Sequence, residues 1–437
     1  SFLIFFLIMR LLYFLFYVVL NYTLRLYFRK VKVKNKPKYF SSTIYVCNHP
    51  AAFMDPLVLS IFNRAIVFFM TRSDVFTAFT KPIFWTAHMI PIYRKQDGVD
   101  TKAKNLEIFK KGSDILLGKR SLLIFSEGVT DDVFVRRLKP LKKGAVRIGF
   151  TALEACDWKQ DIFLATVACN YSNPEKFQSD LYLKNSKKIR LNDFREAYES
   201  NSNKVIQELT VRLEQMLKDD MIHVNDLDSC EFTEQIMMLQ RRGMSAYKEN
   251  NNGIELRWED AKKITEDFNE RHEKYEPLRR DFTTYFSELK SKKISDNDIF
   301  DTYNNQPSRL DYIKQILLFP VTLFGILHCA LFYFAIKSYV EKNFARPVFW
   351  GSTKLVMIML ILGLLNLSFF FLLPSHIGVL GTIVYFLFIP FAGFTAYKFM
   401  TFTQVLLKSK KIKKMDVSDL LEVRSSLVKK IKEITPV

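Results

Sequence analysis

Apolar and polar positions alternate in three different ways along this chain, and each way predicts a different element. From Ser1 to Phe28 nearly every residue is apolar, with Arg10 and Arg25 as the only charges. Unbroken apolarity over that length predicts a helix that belongs in lipid, and no small-residue cleavage site ends it, so residues 1–28 are read as a retained N-terminal anchor. Arg29 to Lys38 then form a basic collar, as expected just cytoplasmic of a membrane segment. Between about 39 and 180, β-rich runs (42–47, 66–70, 121–125, 162–169) alternate with helical patterns, which predicts an α/β fold: a mixed sheet flanked by helices. From about 192 to 300 the strands disappear and the sequence turns charged and helical, as in Val205–Leu209 and Trp258–Lys290. The expected segments are a core over 29–190, a charged helical extension over 191–310, membrane segments over 311–407 and a basic helical tail over 408–437.

Three apolar blocks return to the first of these patterns, at 313–336, 355–373 and 379–400. Each is long enough to span about 30 Å of hydrocarbon at ~1.5 Å per residue. Charge argues against three crossings. The core, the 337–354 link and the lysines at 408, 410, 411, 413 and 414 are all basic, and basic segments prefer the cytoplasmic side. The favoured arrangement is therefore a hairpin of 355–373 and 379–400 turning at Pro374–Gly378. The 313–336 block, broken by Pro320 and Gly325, then lies in the interface or re-enters. The chain is expected to be an integral membrane protein with its core on the cytoplasmic face.

Composition narrows the partners. The 437 residues are 49% hydrophobic yet carry a formal charge of +19. A basic chain points to nucleic acid, anionic lipid or an anionic substrate. No zinc-finger spacing or RNP-like aromatic motif favours nucleic acid. The cysteines at 47, 156, 169, 230 and 329 are scattered and odd in number, which argues for reduced thiols on a cytosolic face.

The candidate chemistry begins at Val46–Pro56. The strand-like run Ser42–Cys47 delivers Asn48 and His49, and Asp55 follows one tight turn later. His49 is a candidate general base with Asp55 orienting it. The competing reading makes Asp55 only a helix N-cap, because Pro56 suits the first helical position. A metal site is not expected, since no third or fourth ligand lies nearby. The run Ser121–Phe125 ends in Ser126, Glu127 and Gly128, a carboxylate at a strand-to-loop junction. Beyond it, Arg136, Arg137, Lys139, Lys142 and Lys143 crowd a glycine turn, which suits a phosphate or a CoA-like group; a solvated or lipid-facing loop is the alternative. Arg94 ends a third apolar run, Met89–Tyr93, as a second possible phosphate partner. Cys47 and Ser126 are candidate nucleophiles, but neither sits in a G-x-S-x-G elbow.

Asn48-His49…Asp55, Ile90-Pro91-Ile92-Tyr93-Arg94, Phe125-Ser126-Glu127-Gly128 and Phe163–Val167 occur in the order and spacing of the four blocks of the phospholipid/glycerol acyltransferase family, which this chain resembles over roughly residues 40–180. The resemblance implies an acyl-thioester-dependent O-acyltransferase with no cofactor, using acyl-CoA or acyl carrier protein as co-substrate. It implies His49 as base, Asp55 as its partner, Arg94 and the loop after Glu127 as holders of a glycerolipid acceptor, and Glu127 as the residue ordering the site. On that footing Asn48, Arg94, Glu127, Gly128, Thr130, Arg136, Arg137 and Lys143 are the expected acceptor-side residues. Three features depart from the commonest pattern. Five residues separate His49 from Asp55 where four are usual, Ser126 replaces a proline, and Thr130 stands where lysophosphatidate acyltransferases carry an acceptor-binding arginine. The longer gap, Asp131-Asp132 and Cys169-Asn170-Tyr171 look more like the fungal-type glycerol-3-phosphate/dihydroxyacetone-phosphate acyltransferases. The expected reaction is acyl transfer to glycerol-3-phosphate or 1-acylglycerol-3-phosphate. The rivals are O-acylation of a non-phosphate lipid, such as an N-acyl amino acid, and a non-catalytic lipid-binding protein.

Overall fold

The computed structural model describes residues 2–37, 41–63, 67–73, 76–78, 80–92, 101–245 and 252–435. They fall into two compact units, Ser1–Glu231 with Arg242–Asn269, and Phe232–Arg241 with Glu270–Val437. The stretch expected as one helical extension, 191–310, is thus divided between them.

The first unit opens with α1 (Phe2–Tyr27) and β1 (Phe28–Lys34), followed by β2 (Thr43–Cys47), the short α2 (Met54–Val58) with a π turn behind it, β3 (Phe68–Arg72), α3 (Thr80–Thr86) and β4 (Met89–Ile92). Next come α4 (Thr101–Leu117), β5 (Leu122–Ile124), α5 (Gly144–Ala155), β6 (Phe163–Tyr171), β7 (Ser179–Asn185), β8 (Ile189–Arg190) and α6 (Arg195–Asp220). The described strands form one eight-stranded sheet in the order β1-β7-β6-β2-β5-β3-β4, with β8 paired to β6. β2 runs parallel to both β5 and β6, whereas β6 and β7 are antiparallel. The mixed sheet expected from the alternating runs is present.

β2 is buried along its whole length, as a central parallel strand covered on both faces must be. Ile44 and Val46 of β2 join Leu122 and Ile124 of β5, Val146 and Phe150 of α5, and Leu209 and Leu213 of α6 in a continuous core. The neighbours of β2 are reached by crossovers in opposite directions, so the carboxyl ends of β2, β5 and β6 open onto a switch point, where open α/β sheets place their ligands.

The basic collar is a strand. Phe28 and residues 30–34 pair in parallel with β7 across a bulge at Arg29, and their charges are matched inside the unit: Arg29 binds Asp180 at 2.6 Å, while Lys32 and Lys34 both bind Glu255. Valines at 31 and 33 alternating with lysines at 30, 32 and 34 form a period-2 pattern, a strand signal that outweighs the collar reading. β7 and β8 were not foreseen either.

The chain continues through α7 (Cys230–Gln240), α8 (Ile254–Glu270), α9 (His272–Ser291), α10 (Asp296–Asn304) and α11 (Arg309–Leu317). α8 serves the first unit: its Arg257 is fully buried against Asp180. The second unit is helical and has a buried polar knot of its own, where Asp296 binds Arg241 at 2.6 Å, Arg424 at 2.7 Å and the Tyr285 hydroxyl at 2.8 Å.

That unit contains α12 (Phe319–Gly325), a π turn, α13 (Leu331–Asn343), α14 (Trp350–Leu372), α15 (Pro374–Ile412) and α16 (Ser418–Ile434). Phe319–Asn343, Pro347–Leu372 and Pro374–Ile412 are each long and apolar enough to cross a membrane. Pro320 sits in the first turn of α12, where its missing N–H costs nothing. Gly325 keeps helical backbone angles and lets α12 approach α15 so closely that a Cβ there would strike the Ala392 carbonyl. The 313–336 block is interrupted at Leu318, between α11 and α12, and passes through a π turn at Ile326–Ala330, yet Phe319–Asn343 is a third candidate span, and His328 Nε2 reaches Asn366 of α14 at 3.3 Å. The expected reversal between α14 and α15 is present, with Gly378 at φ 70°.

Candidate active site

His49 stands just past the carboxyl end of β2. Its Nδ1 lies 2.8 Å from Asp55 Oδ2, and its ring stacks on Phe125 with centroids 4.1 Å apart. Among the described residues Nε2 has no protein hydrogen-bond partner, and the side chain is 20% exposed while that of Asp55 is fully buried. One nitrogen is held and the other faces outward, the arrangement a general base needs.

Asp55 is not the helix cap. Phe53 occupies that position, and Asp55 lies inside the first turn with its carboxylate turned back to the loop. Oδ2 also accepts from the Ala51 N–H at 2.9 Å, and Oδ1 accepts from the Tyr171 hydroxyl at 2.8 Å. Fitting this loop takes a left-handed residue, Ala52 at φ 47°. The longer His–Asp spacing is therefore compatible with direct contact, because Ala51 and Ala52 fold the extra residue into the turn.

Glu127 joins the two loops. Oε1 accepts from the His49 N–H at 2.6 Å and Oε2 from the Lys139 N–H at 2.9 Å. Burial pushes its carboxyl up to about 7, against the pull of those two N–H groups. Both oxygens serve the protein, so Glu127 orders the site and does not itself reach for an acceptor. Gly128 follows at φ 77°, and the Lys142 amine lies where a Cβ would stand. The loop doubles back here, since the Lys142 N–H donates to the Ser126 carbonyl at 2.9 Å.

Other expected acceptor residues turn out to have structural partners. The Asn48 amide spends both ends on the backbone of Cys169, at 2.7 and 3.1 Å, tying β2 to β6. Arg136 is buried, and its guanidinium donates to the carbonyls of Tyr171 at 2.8 Å and Ser172 at 3.3 Å; it cannot also serve as a free phosphate grip. Lys139 closes its own loop on Asp131 at 2.9 Å, and Thr130 is half-buried on that loop. Arg94 lies outside the described residues. Arg137 and Lys143, half-buried, and Lys142, exposed, remain as accessible cations beside the N-terminus of α5, which itself favours anions.

His223 braces the cationic loop from behind. Its Nδ1 accepts from the Leu138 N–H at 3.1 Å, and burial, helped by Lys218, Lys262 and Arg137, lowers its pKa to about 4. Neither candidate nucleophile is activated. Burial and the Asp55 charge push the Cys47 thiol well up, and Ser126 Oγ is buried with no hydrogen-bond partner to take its proton. Sequence reasoning missed Tyr171 and His223 as site-supporting residues. Tyr171 ends a strand whose alternation was visible; His223 lies in an irregular segment with no local signal.

A histidine with one nitrogen fixed and one exposed, at the switch point of an α/β sheet and next to a cationic loop, is an arrangement able to take a proton from a hydroxyl. Residues 30–170 match the family model described as Acyltransferase, so this stretch is an acyltransferase domain. Among solved structures it is similar to the 1-acyl-sn-glycerophosphate (LPA) acyltransferase of Thermotoga maritima at 14% identity, over 45% of this chain and 78% of that one. The TM-score is 0.28, too weak a likeness to add to the assignment. No curated protein sequence matches this chain.

Proposed function

We propose that this acyltransferase esterifies a hydroxyl of a glycerolipid precursor, glycerol-3-phosphate or its 1-acyl derivative, with a fatty acyl group drawn from acyl-CoA or acyl carrier protein at a membrane surface. The observation that carries the reading is the His49–Asp55 pair with Nε2 left open. In the reaction Nε2 takes the acceptor's hydroxyl proton as that oxygen attacks the thioester carbonyl. The imidazolium, paired with Asp55, then returns the proton to the departing thiolate. One ester C–O bond forms, one C–S bond breaks, and the histidine ends as it began.

A phosphate on the acceptor or on CoA calls for cations. With Arg136 committed to backbone carbonyls, Arg137, Lys142 and Lys143 at the start of α5 are the residues we assign to that task. The three apolar helices and the basic chain support work at a bilayer, with acyl donor from the aqueous side and lipid as product. Purified protein given one labelled acyl-CoA and a panel of acceptors tests the proposal. Ester formed with glycerol-3-phosphate or 1-acylglycerol-3-phosphate supports it. Product only with phosphate-free acceptors, such as an N-acyl amino acid, would replace the acceptor assignment.

A further inference from the structure

Around the base the hydrogen bonds close into a ring. His49 Nδ1 meets Asp55 Oδ2 at 2.8 Å, and Asp55 Oδ1 accepts from Tyr171 at 2.8 Å. The Tyr171 carbonyl accepts from Arg136 at 2.8 Å. Three residues on, the Lys139 N–H donates to Glu127 Oε2 at 2.9 Å, whose Oε1 accepts from the His49 N–H at 2.6 Å. The cationic loop and the base are therefore tied at two places, once through Glu127 and once through Tyr171.

We propose that Tyr171 is a positioning residue for acyl transfer, its phenol fixing the orientation and sharing the charge of the Asp55 carboxylate so that His49 receives a measured pull. The inference rests on His49 serving as the base. An anionic oxygen bonded to a buried O–H has less charge left for its other partners. Without that donor, Asp55 draws the Nδ1 proton more strongly, the imidazolium is favoured, and the neutral base is available only at higher pH. Tyr171 itself stays a donor throughout: burial and Asp55 hold its phenol well above its ordinary range. The other ionisable groups at this corner are Cys47 of β2, Cys169 of β6, Tyr27 of α1 and Glu127. The two thiols are held protonated by burial. Burial pushes Glu127 up to about 7 and it accepts from the His49 N–H, so the test must read His49 by itself.

Tyr171→Phe removes one oxygen and keeps the ring against Phe28 and Phe134, whose centroids lie 6.0 and 6.5 Å away. The expected result is an acidic limb of kcat/KM moved up by about one pH unit, with roughly a tenfold loss below pH 7 that recovers at high pH. The same upward shift should appear in the pH dependence of His49 carbethoxylation, read by mass spectrometry on the His49 peptide, a measurement that needs no substrate. A fluorinated tyrosine at position 171, a stronger donor that leaves every heavy atom in place, should move both curves down, and it keeps the test open if the Phe variant fails to fold. A uniform loss at all pH values with both curves unmoved would overturn the proposal and leave Tyr171 a packing residue. A carbethoxylation shift in a protein that shows no acyl transfer would sink the functional reading while leaving the tie between Tyr171 and His49 intact.

Discussion

The corner around His49 and the helices 319–412 obey opposite rules. At the corner, polar groups are buried and their bonds are spent: Asp55 is fully buried and satisfies three donors. In the helices, large apolar side chains face outward, with Leu364, Phe371, Leu380 and Leu387 each 68–76% exposed. A soluble protein would not leave such a surface bare, and a surface site would not pay the desolvation of a carboxylate without a use for it. In one unit a fully buried carboxylate is tied to an outward-facing imidazole; in the other, large apolar side chains are exposed.

The largest break in this contrast is on the polar side. His49→Ala should cost ~10²–10⁴-fold in turnover with the fold intact, measured as single-turnover acyl transfer alongside a thermal melt. Near-wild-type turnover would end the base assignment. Asp55→Asn should lose most of the rate as well, because an amide cannot balance the imidazolium and leaves an oxygen for only one of Ala51 and Tyr171, which donate to different carboxylate oxygens. On the apolar side, Gly325→Leu should destabilise the helical unit by about 1–3 kcal/mol or more through overpacking against α15, read as a lower melting temperature in detergent. An unchanged melt would mean that α12 and α15 are not in contact.

The pattern of alternation made the sheet legible, because strands buried on both faces and helices between them leave a coarse, repeated mark. It also placed His49 and Asp55 within reach of each other, since both fall on one short turn. The strand at 28–34 was hidden by its charges, whose partners Asp180 and Glu255 lie some 150 and 220 residues away. Distance in sequence likewise hid the third partner of Asp55 and the commitment of Arg136: an arginine near a glycine turn looks the same whether it faces a phosphate or a carbonyl. The interruptions near Pro320 and Gly325 do not keep Phe319–Asn343 from being long and apolar enough to span, because one residue sits in a first turn and the other at a close helix contact.

A smaller effect separates stability from chemistry. Burial lowers His223 and His88 to about 4 from the usual 6.5. A buried neutral histidine binds fewer protons folded than unfolded, so its contribution is present above pH 6.5 and lost as pH falls toward 4. Unfolding free energy should decline across that window by on the order of a few kcal/mol in total, read as a falling melting temperature, and His223→Gln should flatten the decline. An equally steep curve in the variant would place the titration elsewhere. Smallest of all, Arg137→Ala with Lys143→Ala should raise the acceptor's half-saturation concentration by roughly tenfold and leave the donor's unchanged, since each cation on a phosphate is worth on the order of 1 kcal/mol near a surface. A change in the donor constant alone would move those cations to the CoA side.

The central claim is that His49 transfers a proton during direct attack of a lipid hydroxyl on an acyl thioester. Purified protein mixed with labelled acyl-CoA, with and without 1-acylglycerol-3-phosphate, tests it in one experiment. The account predicts labelled ester only when acceptor is present, no acyl adduct on the protein by intact mass, and loss of the ester in His49→Ala. A labelled enzyme formed without acceptor and discharged by adding it, or ester formation undiminished in His49→Ala, would contradict it.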